Sequence, residues 1–232
     1  MNFIKSYCQI IPGQVWLNEK KYFTSDRELF VMDHFFHDLY RRTGIDYRKF
    51  HKMDALSKLG FLASEILLAG TDREHPKPDM GILFFNRSSS LEADINFQLT
   101  IQDKENFFPS PAEFVYTLPN IVAGEIAIRN KIYGETVFYT LPVFDSHIMC
   151  STIDDAMCYA GIKYALAGWI EIDVFSNELY CLMMLCTSKQ GKTTIEKSES
   201  YLPKKTDDIY YERSYYLHAD YVNDLFEQVN II

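Results

Sequence analysis

The segment from Pro109 to Glu171 constrains the fold more than any other stretch, because strand and helix patterns alternate along it. Thr136 to Leu141 is a run of β-branched, aromatic and aliphatic residues, which indicates a strand. Asp145 or Ser146 is expected to cap the helix that follows. The apolar positions of that helix recur at helical spacing: Met149, Ile153, Ala156, Met157 and Ala160. Tyr164 to Gly168 then begins another strand, and this alternation predicts an α/β fold.

Two prolines and an asparagine shape the beginning of this segment. Pro111 and Pro119 each lack a backbone donor and push the preceding residue toward extended geometry. Asn120 stands where the N-cap of a helix would stand, and the helix is expected to run up to the break at Tyr133–Gly134. Gly124 is expected to let the first turn of that helix approach another backbone closely.

Hydrophobic patterning predicts the remaining strands and the first long helix. Strands are expected at Phe3–Ile11, at the wholly apolar run Met80–Phe85 and at Leu179–Cys186, the last forming a hairpin with the preceding strand. The helix shows one apolar stripe: Met53, Leu56, Leu59, Ala63, Ile66 and Leu67. Lys58 and Glu65 are predicted to lie outside that stripe.

The patterns of two other stretches are weaker. Gln14 to Tyr47 is mixed and aromatic, and we interpret it as irregular with one short helix near Arg27–Arg41. Leu91 to Gln102 is expected to be a helix or an extended arm. Near the end of the chain, Tyr221, Val222, Leu225, Phe226 and Val229 share one face of a short helix that would dock on this domain or on a partner.

Four short motifs follow one another through the central segment: Ser110-Pro111, Asn120-Ile-Val-Ala123-Gly124, Gly134, and Ala167-Gly168-Trp-Ile-Glu171. Their order and spacing resemble the N-terminal half of the β-ketoacyl-acyl-carrier-protein synthases of the thiolase superfamily. The resemblance implies half of a thiolase-like fold, with three α/β/α layers around a mixed sheet of about five strands. It places a ketosynthase-like domain at residues 1–190 and a polar linker with a docking helix at 191–232.

The position of the catalytic cysteine in that family is occupied here by Val143. Counting forward from Gly134 and backward from Gly168 leads to the same residue. A valine side chain cannot attack a thioester. The resemblance therefore implies a ketosynthase-like protein that catalyses no acyl transfer by itself, related to the chain-length-factor subunits.

The same resemblance assigns interface and tunnel residues. It implies that the strand before the nucleophile position pairs with its counterpart across a two-fold axis: Thr136, Val137, Phe138, Tyr139, Thr140 and Leu141. A bare edge strand is an aggregation template, so an obligate dimer burying more than about 2,000 Å² is expected. Phe114 and Tyr116 would close the acyl tunnel of the partner, although simple core packing explains these aromatic residues equally well.

Two other groups of residues could carry nucleophilic chemistry. His147 and Cys150 are three residues apart on the predicted helix and could form a displaced Cys–His pair for thioester hydrolysis. Cys150 follows two apolar residues, which also fits a core position. Ser88 to Ser90 follow a buried strand, but no Gly-x-Ser-x-Gly motif surrounds them, so a solvated loop or a helix cap is the competing interpretation.

Charge and cysteine content limit the choice of partners. A net charge of −9 disfavours nucleic acid and would repel an acidic acyl carrier protein unless a local basic patch or a partner subunit supplies the docking surface. Five cysteines without a CxxC motif indicate reduced thiols in a cytoplasmic protein, without a metal site or cofactor. No run is long enough to span a membrane, and the start lacks a signal-peptide pattern.

The resemblance implies a non-catalytic subunit that pairs with a full-length ketosynthase in fatty-acid or polyene biosynthesis, and shortened partners of this kind resemble those of aryl-polyene and flexirubin-type pathways. Two alternatives remain open from the sequence. The chain could be a homodimer that binds an acyl chain or an acyl carrier protein. It could also be a thioester hydrolase that uses Cys150 and His147, or the serines at 88–90.

Overall fold

The computed structural model describes residues 2–188 and 215–229, and one mixed β-sheet forms its centre. The strands are β1 (Asn2–Ile11), β2 (Gln14–Leu17), β3 (Lys20–Thr24), β4 (Met80–Asn86), β5 (Thr136–Thr140), β6 (Tyr164–Asp173), β7 (Glu178–Ser188) and β8 (Tyr215–Tyr216). Their order is β3-β2-β1-β7-β6-β4-β5, with β8 paired to β1. β4 is parallel to β5 and β6, and the other described pairs are antiparallel.

Helices cover both faces of the sheet. They are α1 (Met32–Thr43), α2 (Ala55–Leu67), α3 (Leu91–Ile101), α4 (Pro111–Tyr116), α5 (Ile121–Asn130), α6 (Ser146–Tyr159) and α7 (Ala219–Val229), with a short 3₁₀ helix at Arg48–Lys52. The larger core contains residues of α1, α2 and α5, and the smaller core contains residues of α6 and α7. The two cores make the three α/β/α layers that the sequence predicted.

β4 shows why the two cores lie back to back. Its side chains alternate between them: Ile82 and Phe84 belong to the larger core, and Leu83 and Phe85 belong to the smaller one. A strand buried on both faces needs apolar residues at successive positions, which is the pattern seen from Met80 to Phe85. The predicted strand and its covered position are both confirmed.

The sheet is larger than expected because one segment was misinterpreted. Within residues 2–188 and 215–229 it has eight strands rather than about five, and the first half of Gln14–Tyr47 forms β2 and β3 instead of irregular structure. Positive φ angles at Gly13 (75°) and Asn18 (54°) allow the tight turns that fold β2 back on β1 and β3 back on β2. The short helix of that segment does exist, but it starts at Met32 rather than near Arg27.

Two details of helix packing also differ from expectation. A Cβ atom added at Gly124 would meet nothing within 4 Å, whereas one at Gly60 would lie 2.5 Å from Val122. The prediction of a close approach at Gly124 is therefore wrong, since α2 and α5 make their close contact at Gly60. Glu65 was predicted to lie outside the apolar stripe of α2, but its side chain is fully buried.

The helix starts are set by side-chain caps in three places. Asp54 accepts a hydrogen bond from the amide of Ser57, Ser110 from that of Glu113 and Asp145 from that of Ile148. Ser110 followed by Pro111 is thus an N-cap followed by a first helical residue, since proline is well accepted there. Asn120 is the N-cap residue of α5, as predicted, but its side chain makes no capping hydrogen bond.

The last described helix docks on this domain. Val222 and Leu225 of α7 are buried in the smaller core, and Tyr221 and Phe226 pack against it. The amide nitrogen of the Gln9 side chain donates to the carbonyl oxygen of Leu225 over 2.8 Å. The side chain of Val229 and the boundary at 190/191 lie outside the described residues, so the division into a domain and a linker stays a prediction.

Candidate functional site

The loop between β5 and α6 presents Val143 to solvent. Its start is anchored where the amide of Leu141 donates to the carbonyl oxygen of Asn86 over 2.8 Å. Its end is fixed by Asp145, whose carboxylate caps α6. Between these anchors the Val143 side chain is 64% exposed. The position matched to the catalytic cysteine is therefore accessible, but it carries only an aliphatic group.

Val143 lines a cleft of about 300 Å³ at the carboxyl ends of β4 and β6. Sites in open α/β sheets form at this end of the strands. The cleft is lined by side chains from β6, β7, α7 and the loops after β4 and β5: Arg87, Val143, Phe144, Trp169, Glu171, Asp173, Tyr180 and Phe226. The described lining includes one cation and two carboxylates, but no cysteine, serine, histidine or lysine. These groups can bind a ligand, but they offer no nucleophile for thioester chemistry.

Glu171 shapes the rim of the cleft from a buried position. Its two carboxylate oxygens accept hydrogen bonds from the backbone amides of Arg87 (2.7 Å) and Ser88 (3.2 Å). Charge-assisted bonds of this kind hold a turn firmly. The glutamate of the last motif therefore orients the turn after β4 and places the Arg87 side chain at the cleft.

Electrostatics at the cleft favour ionised Asp173 and neutral Tyr180. Burial alone would raise the pKa of Asp173, but the amides of Phe175 and Ser176 and the Arg87 guanidinium, 3.7 Å away, hold it below its usual value. Burial raises the pKa of Tyr180 to about 12, and its hydroxyl donates a hydrogen bond to Glu178. The cleft thus has an ion pair between Arg87 and Asp173 at one side.

Three aromatic rings cover the opposite side of the cleft. Phe144 stacks on Phe226 with ring centroids 3.5 Å apart, and Trp169 meets Phe144 edge-on at 5.5 Å. Aromatic contacts of this type add stabilisation beyond area burial. The cluster joins α7 to the loop that carries Val143.

The two motif glycines are required by close backbone contacts. A Cβ atom at Gly134 would lie 2.3 Å from the carbonyl oxygen of Met80, and one at Gly168 would lie 2.2 Å from that of Leu182. Neither distance is compatible with a side chain. Ala123 is likewise fully buried in the larger core. These motif residues therefore hold the strands around the cleft together rather than line it.

The structure separates the alternative nucleophiles from the cleft. Cys150 is buried in the smaller core, and its pKa is raised to about 12 by burial and then by Asp154. His147 is exposed on the same helix, and neither residue lines the cleft. A thiol that stays protonated and enclosed is a poor nucleophile.

The serines after β4 make turn and tether contacts. Ser89 has a positive φ of 52° and exchanges hydrogen bonds with the side chain of Asn86. The hydroxyl of Ser90 donates to the carbonyl oxygen of Thr117 over 2.6 Å and so ties the end of α4 to the start of α3. Ser88 donates its amide to Glu171. Their surroundings are those of a structural turn.

The predicted interface strand lies at an edge of the sheet. β5 pairs with β4 on one side, and none of the other described strands pairs with its second side. Tyr139 stacks on Phe85 at 5.3 Å and remains partly exposed. The two aromatic residues assigned to the tunnel differ, because Phe114 is exposed and Tyr116 is buried in the larger core.

Sequence reasoning did not identify most of the cleft. Arg87 immediately follows a buried strand, and this position at the carboxyl end of β4 is a signal that could have found it. Asp173, Tyr180 and Phe226 come from elements whose meeting point depends on the full topology.

Within residues 2–188 and 215–229, no group of three or more His, Cys, Asp or Glu side chains could hold a metal ion. In the same ranges, no helix has the length and apolar character needed to cross a bilayer.

Comparison with known proteins supports the fold. No protein-family model and no curated protein matches the chain. The ishigamide ketosynthase/chain length factor is similar in structure, with a TM-score of 0.55, 16% identity and coverage of 83% of this chain and 63% of that one. A ketosynthase in complex with its chain length factor from Xenorhabdus doucetiae is also similar, with a TM-score of 0.51 and 15% identity. That match covers 81% of this chain and 79% of the other.

A third similar structure is a type II polyketide-synthase acyl-carrier protein in complex with its ketosynthase, with a TM-score of 0.52 and 11% identity. That match covers 82% of this chain and 62% of the other. The chain thus spans less than two thirds of the length of the first and third of these structures. Identities this low establish the architecture alone. On the evidence of the sheet order, the cleft and these likenesses, the chain has the thiolase-type α/β fold of ketosynthases and chain length factors.

Proposed function

We propose that this chain is a non-catalytic, chain-length-factor-like subunit that pairs with a full-length, cysteine-bearing ketosynthase. The observation that carries the proposal is the exposed Val143 at the cleft, in the position that matches the nucleophile. Three of the five cysteines, Cys8, Cys181 and Cys186, are buried in the sheet. Cys158 is exposed on α6 but does not line the cleft. The chemistry of acyl transfer must then come from a partner.

The second edge of β5, which none of the described strands covers, supports pairing with a second subunit. An unpaired edge strand presents backbone donors and acceptors that another strand can satisfy. A second surface on α3, α4 and the loop between them exposes a group of large apolar side chains: Ile95, Leu99, Phe107, Phe108 and Phe114. Contiguous exposed apolar residues mark interaction surfaces. In the proposed complex, Phe114 on this surface reaches the acyl tunnel of the ketosynthase.

The substrate of the complex is proposed to be a growing acyl or polyene chain on an acyl carrier protein, as in aryl-polyene or flexirubin-type pathways. The net charge of −9 makes this chain a poor docking surface for an acidic carrier protein. We therefore assign the carrier-protein contact mainly to the ketosynthase, and to this chain the wall of the tunnel.

Affinity purification of the tagged chain from its native host, followed by native mass spectrometry, tests the proposal. The expected result is a complex of one copy of this chain with one cysteine-bearing ketosynthase. Phe108 is 75% exposed, and Phe108→Asp is expected to weaken that complex at least tenfold, whereas Phe175→Asp, at a residue 90% exposed on the β6–β7 turn, leaves it unchanged. Recovery of the chain without any ketosynthase would refute the pairing.

The second candidate function is a homodimer that binds an acyl chain or acyl carrier protein by itself. The cleft beside Val143, with its aromatic side formed by Phe144, Trp169 and Phe226, favours this alternative. It predicts a stable symmetric dimer and saturable binding of a fluorescent fatty acid to the pure protein. The thioester-hydrolase alternative has weaker support, because Cys150 is buried and its pKa is raised.

A further inference from the structure

A groove of about 460 Å³ runs between the edge strand β5 and helix α6. It is separate from the cleft at Val143 and shares no lining residue with it. Its walls combine two acidic and two aromatic side chains with small or polar ones: Glu135, Tyr139, Thr152, Asp155, Ala156, Tyr159 and Ala160. A strand that paired with β5 would lie directly against this groove.

The charge around the groove is of one sign. From residue 132 to residue 162, which covers β5, the loop and α6, the chain carries four carboxylates and no Lys or Arg. The flanking cations are already engaged, since Lys131 lies 3.8 Å from Glu74 and Lys163 lies 3.2 Å from Asp79. The carboxylates of Glu135 and Asp155 have no ion-pair partner among the described residues.

The aromatic residues suit a cation as well. Tyr159 is 86% exposed and Tyr139 is 41% exposed, so both rings are available to a ligand group in the groove. A Lys or Arg side chain over a tyrosine face gains cation–π attraction and can reach a neighbouring carboxylate at the same time. A partner that placed such a side chain here would satisfy both kinds of group.

A second copy of this chain fits poorly on the same surface. Antiparallel pairing of two β5 strands about a two-fold axis would bring together two copies of one surface. Neither copy supplies a Lys or Arg from residues 132–162, so both grooves would keep their carboxylates unpaired as water is excluded. Unpaired charge at an interface costs binding free energy, and like charges repel wrong partners.

We propose that the groove between β5 and α6 receives a Lys or Arg side chain from the edge strand of a non-identical subunit, so that charge selects a basic partner over a second copy. The inference rests on the proposed function in taking β5 as the interface. It adds the chemistry that the partner must offer and the reason that self-pairing is weak.

A charge-swap mixing experiment tests this on the full chain without a ketosynthase. The probe is the same protein with Glu135→Lys and Asp155→Lys, which converts one copy into a basic partner. Sedimentation velocity and native mass spectrometry are expected to show a mixed dimer at least about tenfold tighter than either self-pair at low salt. Its affinity should fall as sodium chloride rises, because salt screens exposed charges.

A matched control carries the same charge change elsewhere. Asp26→Lys with Glu28→Lys alters two exposed residues before α1 and should not form a mixed dimer with the wild-type chain. A neutral variant, Glu135→Gln with Asp155→Asn, serves if the lysine variant does not fold. It is expected to self-associate several-fold more tightly than the wild-type chain.

Two results would overturn the inference: a mixture that associates no more tightly than its components, or a wild-type chain that self-pairs as tightly as the mixture. The outcome is separable from that of the proposed function. Mixed dimers without any ketosynthase binding would leave this inference standing and remove the proposed function. If the Glu135→Gln, Asp155→Asn variant bound the ketosynthase as tightly as the wild-type chain does, this inference would be refuted and the proposed function would stand.

Discussion

Phe226 of α7 stacks almost parallel on Phe144, with ring centroids 3.5 Å apart and planes 5° from parallel. Phe144 is the residue after Val143, so the last described helix packs directly on the loop that presents Val143. A second contact ties α7 to the first strand, since the side chain of Gln9 in β1 donates a hydrogen bond to the backbone carbonyl oxygen of Leu225. The helix therefore forms one wall of the cleft as well as part of the smaller core.

Phe226→Ala is expected to lower the free energy of unfolding by about 1 to 2 kcal/mol, because a partly buried aromatic side chain loses its packing. It should also enlarge the cleft toward α7. Urea unfolding followed by circular dichroism measures the first effect. Phe175→Ala, at an exposed turn position, is the matched control and should stay within about 0.5 kcal/mol of wild type. Equal effects of the two variants would show that the contact of Phe226 with Phe144 does not stabilise the domain.

Thiol labelling distinguishes the Val143 position from the native cysteines. In a Cys158→Ser background, Val143→Cys is expected to react with iodoacetamide at pH 8 at least a hundredfold faster than Cys150. An exposed thiol of ordinary pKa is about one quarter ionised at that pH, whereas a pKa of about 12 leaves about one Cys150 in ten thousand ionised. Peptide mapping by mass spectrometry identifies the labelled site.

The Cys158→Ser protein alone is the reference for that experiment and should stay unlabelled over the same minutes. Rapid labelling of Cys150 in it would contradict the buried placement of this thiol. If thioester hydrolysis were also present and lost on Cys150→Ala, the hydrolase alternative would replace the proposed function.

Strongly patterned elements were predictable from the sequence because one interaction dominates each of them. The apolar run Met80–Phe85 is stable only as a strand that is covered on both faces. The Asp145 cap and the helical spacing after it agree with each other, and α6 forms as expected. The residues of the four motifs are mostly required by local backbone geometry, as the contacts of Gly134 and Gly168 show.

What escaped prediction depends on partners distant in sequence. β2 and β3 are short and only partly buried, so their pattern is weak until β1 is in place to pair with them. The close contact at Gly60 could be predicted only with the position of α5 known. The burial of Glu65 could be predicted only with the two arginines from other segments in place. The cleft combines five separate segments of the chain, which no single pattern in the sequence connects.

The buried carboxylate of Glu65 gives a stability prediction with an internal control. Its oxygens lie 3.0 Å from Arg73 and 3.5 Å from Arg129, and its side chain is fully buried. Glu65→Gln should lower the free energy of unfolding by about 3 kcal/mol, because two partly buried guanidinium groups lose their counter-charge. Chemical unfolding measures the change.

Glu74→Gln makes the same substitution in an exposed ion pair, 3.8 Å from Lys131, and is expected to cost less than about 1 kcal/mol. If Glu65→Gln lowered the free energy of unfolding no more than Glu74→Gln does, the buried ion pairs of Glu65 would contribute little to stability. A stabilising effect of Glu65→Gln would mean that desolvation of the carboxylate outweighs its two ion pairs.

The N-cap of α2 predicts a pH dependence of stability. Burial raises the pKa of Asp54 to about 6, although the hydrogen bond from Ser57 partly offsets this, and nearby Glu92 raises it further. Because the folded-state pKa lies above the unfolded value, the folded chain binds this proton more tightly between about pH 4 and pH 6. Asp54 therefore destabilises the fold above pH 6, and that penalty is relieved as the pH falls toward 4.

Asp54→Asn removes this titration and keeps a good capping side chain. The variant's free energy of unfolding minus that of wild type should be about 1 kcal/mol smaller at pH 5 than at pH 7.5. This figure allows for partial exposure of the aspartate. Urea unfolding of both proteins at the two pH values gives the difference, with Asp145→Asn at the cap of α6 as the control for a general effect of cap exchange. A difference that stays constant with pH, or grows as the pH falls, would mean that Asp54 is ionised at pH 5 and that its hydrogen bonds outweigh its burial.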